Sequence, residues 1–200
     1  TTMTEHIEGL SQSGFAAFGT HLVVGPMYHT GPLSGMRLLT LGIPSVILGR
    51  FDAETTLATI DKYKTESALM VPTHFVRMLA LPEDVKNKYD VSSMKFAAHT
   101  GAKCPVDVMH EMIDWMGPIF RDAYGASEVG TVCAITSEEW LENPGSVGKA
   151  IPPFSAYVLD EDLNELSPGT EGRLFFRDST GRGIIYPNDP QKTAEANPET

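Results

Sequence analysis

The chain has 200 residues, 42% of them hydrophobic and 20% charged, and a formal net charge of −11. That is one large domain, or one domain with a piece of another, with enough apolar sequence for a core. The acidic balance, without a run of basic residues, argues against a nucleic-acid surface, and no apolar stretch of about 18 residues offers a transmembrane segment.

In chain order, Thr1-Thr2-Met3-Thr4-Glu5-His6 reads as the middle of a sequence, and residues 1–20 as a lead-in segment. Leu22-Val23-Val24 is the first predicted strand, followed by near-helical apolar spacing from Leu33 to Leu41. Ser45–Leu48 is the next strand, and a helix is expected from Ala53 to Tyr63, with Leu57 and Ile60 three apart. Ala68–Val71 is a third strand, ending at Pro72, after which Thr73 caps a short helix through Leu79. Lys95–Ala98 makes a fourth strand, Pro105–Trp115 a helix with proline in its first turn, and Ile119–Arg121 a fifth strand. Strands and helices at such intervals imply right-handed crossovers and a mainly parallel sheet. The fold class is therefore α/β over residues of about 20–130.

Beyond Thr131 the helical periodicity stops. Short strands are expected at Val132–Ile135, Ala156–Leu159 and Arg173–Phe176, between turn signals at Asn143-Pro144-Gly145 and Pro168-Gly169. The expected organisation is an α/β sheet subdomain over 21–135 and a β-rich, partial barrel-like subdomain over 136–200.

Metal chemistry through His and Cys is not indicated: His110-Glu111-Met112 fails HExxH, and Cys104 and Cys133 have no metal spacing. Reduced thiols in a cytoplasmic protein are the expectation. No GxxxxGK[ST] is present, and Gly181-Arg182-Gly183 does not complete GxGxxG, so neither common phosphate loop operates here. His-Thr-Gly occurs twice, at His29-Thr30-Gly31 and His99-Thr100-Gly101, each near a strand end, which suggests two strand ends facing one crevice. Alone, His29 reads as a hydrogen-bonded core histidine, and Gly101-Ala102 as a plain β–α turn. In Asp122-Ala123-Tyr124-Gly125-Ala126-Ser127-Glu128 a hydroxyl and a carboxylate stand side by side after a strand, which suits a Mg-nucleotide; the plain alternative is a strand followed by a glycine turn.

The order of these pieces is more specific than any one of them. PMYHTGPL, a strand ending in VPT, HTGAKCP, DAYGASEVG, GSVGKAIP and PGTEGRLFFRD follow one another from about His21 onward. This series resembles the adenylate-forming superfamily: acyl-CoA synthetases, adenylation domains of peptide synthetases, and firefly luciferases. Tyr124-Gly125-Ala126-Ser127-Glu128 resembles the family's YGxTE, with serine for threonine. Gly172-Arg173-Leu174 resembles its GEL, and Tyr186-Pro187-Asn188-Asp189-Pro190 the segment that follows. The histidine in PMYH looks most like the acyl-CoA synthetase branch.

The resemblance implies an enzyme that activates a carboxylic acid, a fatty acid by its branch, with ATP and Mg2+ and passes the acyl group to coenzyme A. It implies Glu128 as the metal ligand, Ser127 on a phosphate, and His29 between the acyl carboxylate and the thiol path. Gly101, Ala102, Lys103, Asp122, Ala123, Tyr124, Gly125 and Ala126 would form the nucleotide surface. Tyr28, Thr30, Val71 and Thr73 would line the acyl and CoA pocket. Nothing in residues 1–20 matches the family's phosphate loop, and its ribose-binding aspartate and C-terminal lysine have no counterpart here, so a central fragment, inactive by itself, is expected. The alternatives are a non-catalytic nucleotide- or CoA-binding module, another adenylate-forming enzyme, and a scaffold without ligand.

Overall fold

A computed structural model describes residues 2–11 and 14–197, apart from the side chains of residues 5, 6, 30 and 34. Its centre is a seven-stranded sheet in the order β2-β1-β3-β4-β5-β6-β7. Strands β1 (His21–Val23), β2 (Ser45–Ile47), β3 (Ser67–Met70), β4 (Phe96–His99) and the start of β5 (Phe120–Ala126) run parallel. Strands β6 (Gly130–Thr136) and β7 (Lys149–Ala150) complete it antiparallel. The large sheet thus extends to Ala150. A separate antiparallel pair, β8 (Phe154–Leu159) and β9 (Arg173–Asp178), follows.

The helices divide between the faces of the sheet. Helix α1 (Met3–Ser11) precedes β1, and α2 (Thr30–Met36) packs on the face that carries His21 and Val23, where Gly35 lies against both side chains. Helices α3 (Ala53–Tyr63), α4 (Pro72–Leu79) and α6 (Val106–Met116) cover the other face, with α5 (Glu83–Lys86) between the last two in sequence. There Leu22, Ala68, Met70, Ala97 and Phe120 meet Leu57, Ile60, Phe75, Met78, Met109 and Met112 in one core. Alternation along short parallel strands sends one set of residues to each helix layer.

Local chemistry accounts for the best-defined helix. Asp52 caps α3 by accepting from the Thr55 backbone N–H at 2.8 Å, and Leu57 and Ile60 are both fully buried. Burying each of these side chains contributes about 1.5–3 kcal/mol, enough to fix the helix on the sheet. Five of the nine methionines (Met70, Met78, Met94, Met109 and Met112) are buried in this core, so most serve as filling.

The structure corrects several expected boundaries. The predicted Leu33–Leu41 helix is α2 followed by a 3₁₀ turn over Arg37–Leu41, which Gly42 ends with φ of 76°. Thr73 does not cap α4: Val71 is its N-cap, Pro72 takes the first turn, and His74 Nδ1 accepts from the Val71 N–H at 3.4 Å. Helices also occur beyond Thr131, where none was expected: α7 (Ser137–Glu142) and α8 (Pro190–Ala196). Both are short and side-chain capped, α7 by Thr136 with Glu139 reaching back and α8 by Asp189. Neither is long enough to show a period.

Candidate functional site

The order β2-β1-β3-β4-β5 places a topological switch between β1 and β3, where the chain leaves in opposite directions. In sheets of this kind ligands bind outside the carboxyl ends of the strands, at or beside such a switch. The ends of β1, β3, β4 and β5 stand side by side and carry, in that order, the His29 turn, Val71, Gly101, and Asp122 with Tyr124. Adjacent strands are about 4.8 Å apart, so the ends of β1 and β4, which lead to the His29 turn and to Gly101, are separated by roughly 10 Å, with β3 between them.

After β1 the chain turns at Pro26, whose carbonyl accepts from the His29 N–H at 3.0 Å, and enters α2. Tyr28 is 84% exposed and His29 is exposed, their rings 4.8 Å apart. His29 is therefore not a core histidine. Gly31 packs over the Leu69 side chain, which ties this turn to β3. Thr30 opens α2, and its side chain lies outside the described residues.

At the end of β3, Val71 is half-buried and Thr73 exposed on the first turn of α4. Beyond β4, Gly101 takes φ of +86°, a conformation open to glycine, and its α-carbon faces the Val71 side chain. Ala102 and Lys103 follow it, both exposed. The small residues leave an open shelf between Val71 and β5. Cys104 beneath it is buried; burial first, then the Asp122 and Asp107 carboxylates, push its thiol up to about 11, which keeps it protonated.

The DAYGASEVG segment is not a loop after a strand. Strand β5 continues through Tyr124, Gly125 and Ala126, paired with β6, and the turn lies at Ser127–Val129, closed by the Val129 N–H on the Ala126 carbonyl at 3.3 Å. From Asp122, the last residue paired with β4, to Ala126 the strand advances about 13 Å, so the hairpin overhangs the end of β4. The register shifts between Tyr124 and Gly125, a bulge at the base of this overhang. A Cβ on Gly125 would run into the Gly130 carbonyl, so only glycine fits. Ala123 is half-buried, whereas Tyr124, 43% exposed, rests against Phe176 of β9 with ring centroids 6.2 Å apart.

Ser127 and Glu128 are exposed at the hairpin tip, where the Tyr186 hydroxyl donates to Glu128 Oε1 at 3.4 Å. Among the described residues no group of three or more His, Cys, Asp or Glu gathers around a common point. A single exposed carboxylate does fit Mg2+ that arrives on nucleotide phosphates, because that ion keeps several waters and needs one or two protein carboxylates.

His99 is the last residue of β4 rather than the start of a turn, fully buried, with its ring edge-on to Phe75 at 5.5 Å. The two His-Thr-Gly copies are thus unlike: His29 faces solvent, and His99 lies inside. Asp122 is its register partner on β5, and burial pushes the Asp122 carboxyl up to about 6 against the lowering effect of the Ala123 N–H. The repeated tripeptide was the available signal, but burial of one copy follows from the pairing of β4 with β5 and the packing of α4.

The profile of the family described as AMP-binding enzyme matches residues 3–183. It begins well before His21, taking in α1, which carries none of the motifs. Luciferin 4-monooxygenase of Nipponoluciola cruciata is 33% identical over 179 residues, 87% of this chain and 32% of that protein. The human mitochondrial acyl-coenzyme A synthetase ACSM4 is 31% identical, covering 74% of the chain and 25% of the relative. The long-chain-fatty-acid–CoA ligase of Bacillus subtilis is 30% identical, covering 88% and 32%. The chain therefore spans about a third or less of these relatives. Among solved structures, the amide bond synthetase McbA of Marinactinospora thermotolerans superposes with a TM-score of 0.81 at 20% identity, over 96% of this chain and 39% of that one. With the strand-end site in the order its motifs require, the chain belongs to the AMP-binding enzyme family, within the adenylate-forming superfamily.

Proposed function

We propose that this chain is the central part of the large domain of an acyl-CoA synthetase, which converts a carboxylic acid and Mg-ATP to an acyl-adenylate and pyrophosphate and then passes the acyl group to coenzyme A. The observation that carries the reading is the hairpin bearing Tyr124, Ser127 and Glu128 over the Gly101-Ala102 shelf, two strands from His29. In this reading the adenine would lie between Gly101-Ala102 and Tyr124, with Lys103, Asp122, Ala123, Gly125 and Ala126 around it. Mg2+ supplies charge neutralisation on the phosphates, and Glu128 is the residue that would hold it. Ser127 orients a phosphate oxygen. His29, with Tyr28, Val71 and Thr73, stands where the acyl carboxylate and then the thiol approach. The residues act by positioning and electrostatics, which suffices for in-line attack of a carboxylate on phosphorus.

The acyl-CoA synthetases and the CoA ligase among the relatives support the thiol acceptor, and the buried free thiols of Cys104 and Cys133 suit a cytoplasmic setting. The organisation proposed is a lead-in to residue 20, an α/β part to 135 and a β-rich part from 136. The test is the enzyme that carries this chain, assayed with ATP, coenzyme A and a panel of short, long and aromatic acids. Acid-dependent AMP release with acyl-CoA formation is expected. Acyl-adenylate formation without transfer to coenzyme A would move the protein to another branch, and nucleotide binding without turnover of any acid would make it a binding module.

A further inference from the structure

The buried end of β4 holds a group that the adenylation reading leaves without a task. His99 has no exposed surface, and neither ring nitrogen has a hydrogen-bond partner. Its surroundings offer little: Phe75 stands edge-on to the ring, and Ala97 precedes it on the same face of β4. The polar neighbour is Asp122, its partner across the β4–β5 ladder, with Oδ1 at 3.7 Å from Nδ1. The Asp122 side chain is 11% exposed, so it reaches from this buried position to the edge of the shelf.

We propose that His99 is a positioning residue of the nucleotide site: its Nδ1–H donates to the Asp122 carboxylate and fixes the direction of that carboxylate beneath the Tyr124 hairpin. A small side-chain rotation that closes 3.7 Å to about 2.9 Å makes the bond. Two further facts agree. Buried polar groups in folded proteins are nearly always paired, and the Asp122 carboxylate lies 3.7 Å from this otherwise unpartnered nitrogen. Burial also lowers the His99 imidazole to about 4, so at neutral pH the ring is neutral and carries one proton. Which nitrogen holds that proton is set by the hydrogen bond it makes. The bond to Asp122 selects Nδ1, the less favoured site of a free imidazole. The functional half of the proposal rests on the reading that Asp122 faces the nucleotide; the pairing itself does not.

Two measurements test it. Long-range proton–nitrogen correlation spectra of the 15N-labelled 200-residue chain report the tautomer of each histidine. His99 is expected as the Nδ1–H form, reverting to Nε2–H in Asp122→Leu. An Nε2–H ring in the unmodified chain, unaffected by Asp122→Leu, overturns the pairing. In the enzyme that carries this chain, His99→Leu fills the space but cannot donate, whereas the amide of His99→Gln can. His99→Leu is expected to raise KM for ATP about tenfold with kcat little changed, and His99→Gln to recover most of that loss. Equal losses in both variants would make His99 a space-filling residue and overturn the positioning role. If Asp122→Leu leaves KM for ATP unchanged while the tautomer result holds, the nucleotide assignment of Asp122 fails and the pair stands as a structural one.

Discussion

Glu128 and His29 are both exposed, and that separates their function from the stability of the fold. Glu128→Gln removes an exposed anion that accepts a long hydrogen bond, 3.4 Å, from the Tyr186 hydroxyl, so the folded state should change by no more than about 0.5 kcal/mol. Adenylation should fall far more, because one anionic ligand of a metal–phosphate site is worth several kcal/mol in the transition state. Thermal unfolding beside acyl-adenylate formation checks both halves; near-normal adenylation with unchanged magnesium dependence would remove Glu128 from the site. His29→Ala should likewise leave folding intact. It should slow thioester formation while calorimetry finds ATP affinity nearly unchanged, since the His29 turn follows β1, two strand places from β4, which leads to the proposed adenine surface. Buried histidines behave differently. His21 is 1% exposed, with Nδ1 2.9 Å from Ser67 Oγ, and burial lowers it to about 4. The unfolded chain protonates near pH 6.5, so the contribution of a neutral His21 is whole above that pH and is lost as the pH falls toward about 4. The loss is on the order of 3 kcal/mol over the whole window. His74 and His99, both lowered to about 4 with burial as the main cause, act in the same direction. Asp122, raised to about 6, acts oppositely: its contribution is whole below the unfolded value of 3.8 and lost as pH rises through about 6. Urea midpoints at pH 7.5 and pH 5 should show a clear drop for the unmodified chain and a smaller one for His21→Asn. Equal drops would mean that His21 does not titrate on unfolding.

At the scale of elements, the bulged hairpin connects packing to chemistry. Gly125→Ala places a methyl group against the Gly130 carbonyl, which forces β5 and β6 apart where Ser127 and Glu128 begin to overhang. The expected result is a loss of about 1–3 kcal/mol in stability and a larger fractional loss of adenylation. A variant with normal activity would show that the tip does not need this register. The same hairpin marks the limit of what the sequence discloses. Strands β1 to β4 and helix α3 are legible because apolar runs and the Leu57–Ile60 spacing are local signals, and Asp52 is a local cap. Tyr124, Gly125 and Ala126 carry no alternation, and only their ladder with Thr131 and Cys133 makes them a strand. Site residues divide the same way. The turn at Gly101-Ala102 can be read from its small residues, whereas the burial of His99 depends on α4 and β5, neither of them close in sequence. Ser137 is a comparable case: its hydroxyl donates to the Phe120 carbonyl and accepts from the Phe120 N–H, both at 2.9 Å, so a side chain extends the β5 ladder. No local pattern announces that.

For the molecule as a whole, the central question is what a chain that spans about a third of its relatives can do by itself. The seven-stranded sheet carries helices on both faces and one continuous core, so the 200-residue chain should fold at least in that part. The catalytic groups proposed for it are a different matter. Ser127 and Glu128 are exposed on the turn of the β5–β6 hairpin, and the exposed His29 turn follows β1, with β3 and β4 between those strands. The family resemblance requires two further groups, a phosphate loop and a lysine from a C-terminal part, neither of which has a counterpart among these motifs. Groups that act as a unit are strongly non-additive, so the absence of two should leave little rate above solution. The purified chain is therefore expected to show no acid-dependent exchange between ATP and pyrophosphate, while retaining cooperative unfolding and at most weak adenine-nucleotide binding on the Gly101, Tyr124 and Glu128 surface. Robust exchange by the 200 residues alone would mean that the phosphate-binding and attack-stabilising groups lie within this chain, and that Glu128, Ser127 and His29 have been given the wrong roles.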